Sequence, residues 1–124
     1  MPTPPTYEPE PLTQLLELDV EQPGLMNELI RIFVGDAPKQ LQFIEVGLRE
    51  RNPERVRQAA HFLRSGSLAL GLKQVAAAAH AVERMDISSI TPEEAQAAGE
   101  HLREHVHHVL LYLLGQLKRN QDPA

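Results

Sequence analysis

Two groups of side chains in this sequence have the types and spacing to do chemistry. The first is His61, with Arg57 about one turn before it and Arg64 about one turn after it. A solvated imidazole, with an ordinary pKa near ~6.5, is largely neutral at pH 7 and offers a nucleophilic nitrogen. Phosphoryl transfer needs mainly positioning and charge stabilisation, and flanking guanidinium groups suit the second need. The other group is His101, His105, His107 and His108. His101 and His105 are four apart and could chelate a metal from one helix face, with His108 on the same flank and His107 pointing elsewhere. No cysteine stands near, and HEHVHH lacks the H-E-x-x-H spacing. Solvated or boundary histidines explain this group more simply, and no metal is expected.

Helices must position these groups. Apolar residues recur at helical spacing from Gly24 to about Arg51: Met26, Leu29, Ile30, Phe33, Ala37, Leu41, Ile44 and Leu48. Pro38 interrupts this run, yet the stripe keeps its phase across it, which predicts one kinked helix. Asn52 and Pro53 read as the cap and first position of the next helix, running to about Leu70. Gly71 marks a turn, and Leu72, Val75, Ala79 and Val82 predict another helix to about Met85. Thr91-Pro92-Glu93-Glu94 is a strong start signal. From it Ala95, Ala98, Leu102, Val106, Val109, Leu113 and Leu117 line one side of a last helix. Residues 1–11 read as a flexible, proline-rich tail, 12–18 as a short leading helix, and 119–124 as a disordered end. No stretch alternates as a half-buried strand does. The expectation is all-α: an antiparallel up-down four-helix bundle over residues 12–118, with a short extra N-terminal helix.

Val56, Ala59, Leu63, Gly66 and Leu70 are spaced three, four, three and four, and predict the buried seam of the helix that bears His61. On a helical wheel His61 lies about 180° from that seam. Glu54, Arg57, Gln58, Arg64, Ser65 and Leu68 surround it on the solvent side. Such a histidine is most often a plain solvated side chain, so wheel geometry alone assigns it no role.

The string AHFLRSGSLALG, from Ala60 to Gly71, adds the missing specificity. It resembles the signature of histidine phosphotransfer (HPt) domains, A-H-x-L-K-G-S-[SA]-x-x-L-G, and is similar in wording to the yeast-type phosphorelay intermediates of that family. Val82-Glu83 matches the L-E that closes the following helix, and Glu28-Leu29-Ile30-Arg31-Ile32-Phe33 matches a run common ahead of the motif. The resemblance covers about residues 12–118 and implies an up-down four-helix bundle. It implies that His61 is the phosphoacceptor, that Arg64 replaces the lysine that helps neutralise the phosphoryl group, and that Glu83 stands where a polar residue hydrogen-bonds the imidazole. Arginine keeps the charge but not the geometry of lysine. The usual Gly-Ser pair is reversed as Ser65-Gly66, which puts a hydroxymethyl group in the path of the partner and a glycine on the seam.

On this reading the protein shuttles phosphoryl groups between aspartates of receiver domains, in response regulators or hybrid histidine kinases. Arg57, Gln58, Ser65 and Leu68 would form part of the docking surface. It would hold no cofactor of its own, the receiver supplying Mg²⁺, and no ATP site or kinase activity. The alternative is a helical bundle that docks receivers without transferring phosphate. A sensor-kinase dimerisation helix fits less well: Phe62 replaces the acidic residue of its H-box, Gly66 replaces its proline, and no glycine-rich ATP-binding boxes follow.

Composition narrows the class further. Apolar residues are 42% of 124, aromatic residues 4%, and tryptophan is absent, so the core must be aliphatic. The formal charge of −5 argues against general binding to nucleic acid, which needs a basic face. The absence of cysteine rules out disulfides and thiolate metal sites. No apolar run approaches the roughly 20 residues of a membrane span, and MPTPPTYEPEP has no signal-peptide pattern. A cytoplasmic monomer is expected.

Overall fold

Four amphipathic stretches form four helices in the computed structural model, which describes residues 24–121. They are α1 (Leu25–Arg49), α2 (Pro53–Ala69), α3 (Lys73–Glu83) and α4 (Pro92–Gln121). The tail expected at 1–11 and the helix expected at 12–18 lie outside the described residues. Among the described residues there is no strand.

Each helix packs on two neighbours. α1 lies beside α2 and α4, α3 lies beside α2 and α4, and the backbones of the diagonal pairs stand farther apart. This is the square of an up-down bundle, in which helices joined by short turns lie side by side. Its core is aliphatic, as the composition requires: Ile30, Ile44, Leu63, Leu70, Leu102 and Leu113 are fully buried, with valines between them.

α1 runs unbroken through Pro38, as the phase of its stripe predicts. α2 starts as read from the sequence. Pro53 occupies the first turn, and the Asn52 side chain accepts a hydrogen bond from the Arg55 N–H at 3.2 Å. Thr91 caps α4 in the same way, accepting from the Glu94 N–H at 3.1 Å. α4 continues to Gln121, beyond the boundary expected at 118. No further proline stands between Pro92 and Pro123 to stop it earlier.

The turns on either side of α2 share one design. After α2 the Leu72 N–H reaches the Ser67 carbonyl at 2.8 Å, and the Gly71 N–H the Leu68 carbonyl at 3.0 Å. Gly71 has φ 70°. That is a Schellman closure with glycine at its left-handed position. After α1 the Asn52 N–H reaches the Gly47 carbonyl at 2.9 Å, and the left-handed residue is Arg51, at φ 56°. A side chain there strains the backbone. The Arg51 guanidinium, however, donates to the carbonyls of Ile87 and Ile90, tying this turn to the α3–α4 connection.

The seam of α2 differs from the expected one. Val56, Ala59, Leu63 and Leu70 are buried, but so are Ala60 and Ser67, while Gly66 is only half-buried. Two neighbouring helices widen the covered strip beyond a single line of positions. The Ser67 hydroxyl is satisfied there by donating to the Leu63 carbonyl at 2.7 Å. A Cβ on Gly66 would meet only Phe33, at 3.4 Å. The close approach lies instead at Gly47, where a Cβ would stand 2.7 Å from Val56 Cγ2 and 3.3 Å from the Val56 nitrogen.

Candidate functional site

His61 sits midway along α2 with its side chain 54% exposed. Local sequence decides this: the core takes the positions on the other side of the helix, and polar residues flank the histidine. What the tertiary structure adds is Glu83. α3 runs back alongside α2 and ends with this residue. Its side chain is 17% exposed, and Oε1 lies 3.3 Å from His61 Nδ1.

Arg64 closes the group from one turn along α2. Its Nη2 lies 3.0 Å from His61 Nδ1, and its Nε lies 3.0 Å from Glu83 Oε2. The Nε contact is an ion pair whose angle falls short of a hydrogen bond. On α3, His80 Nδ1 stands 3.7 Å from the same carboxylate oxygen.

Both contacts to the imidazole converge on Nδ1, so the position of one proton decides between them. With the proton on Nδ1, the ring donates to Glu83 and Nε2 carries the free lone pair. With the proton on Nε2, Nδ1 accepts from Arg64 and Nε2 is no nucleophile. Because Nδ1 faces Glu83 and Arg64, Nε2 takes the opposite, exposed edge of the ring. The arrangement can therefore present a nucleophilic nitrogen to a large partner, with a guanidinium beside it for an anionic group.

The other residues singled out in the sequence share this face. Gln58 and Ser65 are exposed, and Leu68 is 54% exposed. Arg57 is exposed as well, but it is not drawn to His61 and pairs instead with Glu54 at 3.7 Å. Two residues of the face escape the sequence reading. Phe62 is 57% exposed and Ile32 60%, and both border an apolar groove of about 100 Å³ between α1 and α2. Phe62 sits about 100° from His61 on the wheel, and Ile32 belongs to another helix. No local pattern links them. His80 also escaped notice, because its relation to His61 runs through Glu83.

The second histidine group forms no centre comparable to this one. His101 and His105 pack edge to face with ring centroids 4.6 Å apart. Among the described residues no cluster of three or more histidine, cysteine or acidic side chains is arranged to hold a metal ion. Burial, followed by the charge of His101, pushes His105 below the ordinary imidazole pKa. A wide groove of about 950 Å³ lies between α1 and α4, the side of the square opposite α2 and α3, and the Glu45–Arg103 ion pair lines it. Among the described residues no helix is long and apolar enough to cross a membrane.

The family model of the Hpt domain matches residues 28–119, which include every residue of the His61 group. The chain is 27% identical over 63 residues to phosphorelay intermediate protein YPD1 of Candida albicans. That match takes in 51% of this chain and 34% of the relative, so the chain spans about a third of the curated protein's length. No solved structure matches.

Proposed function

The chain belongs to the Hpt domain family, and from that membership we propose that it is a phosphocarrier of a two-component phosphorelay, with His61 as phosphoacceptor. The observation that carries the proposal is the contact of His61 Nδ1 with Glu83 Oε1 at 3.3 Å on a half-exposed ring. It supports the tautomer in which Nε2 is the nucleophile.

In the forward step the Nε2 lone pair attacks the phosphorus of a receiver's aspartyl phosphate. The N–P bond forms, the P–O bond to the aspartate breaks, and the carboxylate leaves. The imidazole keeps its Nδ1 proton and becomes cationic, and Glu83 offsets that charge. Arg64 has further N–H donors for phosphoryl oxygens. The receiver supplies Mg²⁺, whose role is to neutralise phosphoryl charge. This chain supplies the nucleophile, the guanidinium and a rigid platform. The reverse step returns the group to another aspartate by the same geometry and needs no ATP site here. Receiver domains of response regulators or hybrid kinases dock over α2 and the α1–α2 groove, on Gln58, Phe62, Ser65, Leu68 and Ile32. Arg57 serves at the rim, where it affects encounter more than affinity.

The test is phosphoryl transfer from a panel of phosphorylated receivers to wild type and His61→Gln. Acid-labile, alkali-stable label on wild type alone is the expected result. Label retained on His61→Gln would sink the assignment. Binding of a receiver without any label would favour a docking protein that does not transfer phosphate.

A further inference from the structure

His80 stands beside the site without a part in the transfer chemistry above. Its Nδ1 lies 3.7 Å from Glu83 Oε2, whereas His61 meets Oε1. That gap is too long for a hydrogen bond and short enough for electrostatic attraction, from the Nδ1–H dipole of a neutral ring or the charge of a protonated one. The spacing is built into α3, because residues three apart on a helix are neighbours. Glu83 Oε2 is shut off from solvent. It must therefore take its stabilisation from the groups around it, Arg64 and His80, and not from water.

The two oxygens of a carboxylate are rigidly linked, so whatever holds Oε2 decides where Oε1 points. Arg64 alone would let Glu83 close a two-pronged pair on the guanidinium. Oε1 would then leave His61, and Nδ1 would accept from Arg64 Nη2, already 3.0 Å away. That outcome protonates Nε2 and removes the nucleophile. We propose that His80 is a positioning residue: by drawing Oε2 toward α3 it keeps Oε1 on His61 Nδ1 and favours the reactive tautomer. His80, Glu83 and His61 form a relay in which no proton need move between the histidines. The kinetic consequence rests on the reading of His61 as phosphoacceptor, but the tautomer effect does not.

The experiment uses the full chain labelled with ¹⁵N-histidine, at slightly alkaline pH, with His61 resonances assigned through His61→Gln. Ring nitrogen shifts report the tautomer, and phosphoramidate serves as phosphodonor, its P–N bond breaking and ammonia leaving as the bond to Nε2 forms. Wild type is expected mainly in the Nδ1–H form. In His80→Ala the His61 ring shifts toward the Nε2–H form, and phosphorylation slows about two- to fivefold, the range for one exposed electrostatic partner. On a Glu83→Ala background the same substitution has no further effect, because its influence passes through the carboxylate. An unchanged tautomer in His80→Ala would overturn the proposal. So would a wild-type ring already in the Nε2–H form, or an equal loss with and without Glu83. If wild type takes no phosphate from phosphoramidate or from phosphorylated receivers, the phosphocarrier reading fails, and the tautomer spectra still decide the role of His80.

Discussion

At His61 the competition for Nδ1 makes Arg64 and Glu83 separable by mutation. Arg64 holds Glu83 Oε2 and lies beside Nδ1, and under the proposed function it also neutralises phosphoryl charge. Its loss removes a charge-assisted contact worth at least ~1.5 kcal/mol, so Arg64→Ala is expected to slow transfer from a phosphorylated receiver about tenfold or more. Unchanged single-turnover kinetics would show that the guanidinium takes no part. Glu83→Ala should slow transfer too, whereas Glu83→Gln should slow it less, because an amide carbonyl can still accept from Nδ1–H. Equal rates for these two variants would mean that acceptance at Nδ1 does not matter. The positions of His61 and Arg64 on one exposed face were legible in the spacing of α2. The proximity of Glu83 was legible only through the family motif, since 22 residues separate it from His61.

The elements hold this group through contacts that no periodicity displays. Among the glycines of α1 and α2, the one that leaves no room for a side chain is Gly47, facing Val56, and not Gly66, where the seam pattern had placed glycine. Val56 is β-branched and its backbone nitrogen is also close, so neither can yield easily. Gly47→Ala should cost about 1–3 kcal/mol through overpacking, against a helix-propensity gain of about 1 kcal/mol. Gly66→Ala meets only ordinary contact with Phe33 and should be neutral or stabilising. Thermal unfolding of the two variants side by side checks this, and the opposite order would move the close approach to Gly66. The two turns make a parallel case. Gly71 could be read as a turn residue from its type, but Arg51 fills the equivalent left-handed position in the other turn. Its compensation comes from the carbonyls of Ile87 and Ile90, far along the chain.

On the scale of the molecule, α4 ties the acid response of the bundle to a residue away from the site. Burial and the charge of His101 lower the pKa of His105 in the folded state. The unfolded chain therefore binds the proton more readily, and stability is lost as pH falls through and below the ordinary imidazole range. Urea unfolding at pH 7.5 and at pH 5.5 should show this decline in wild type and a smaller one in His105→Gln. An equal decline in both would assign it to other groups. Composition, the phase of apolar residues and the capping signals at Asn52-Pro53 and Thr91-Pro92 determined an aliphatic four-helix bundle, because burial and backbone capping are local properties of each helix. The local motif determined His61 as the residue to examine. Tertiary structure alone decided that His61, Arg64 and His80 share the Glu83 carboxylate, that Ile32 joins Phe62 beside the site, and that Gly47 leaves no room for a side chain against Val56. Those relations depend on the rotation and depth at which whole helices pack, which no single helix encodes.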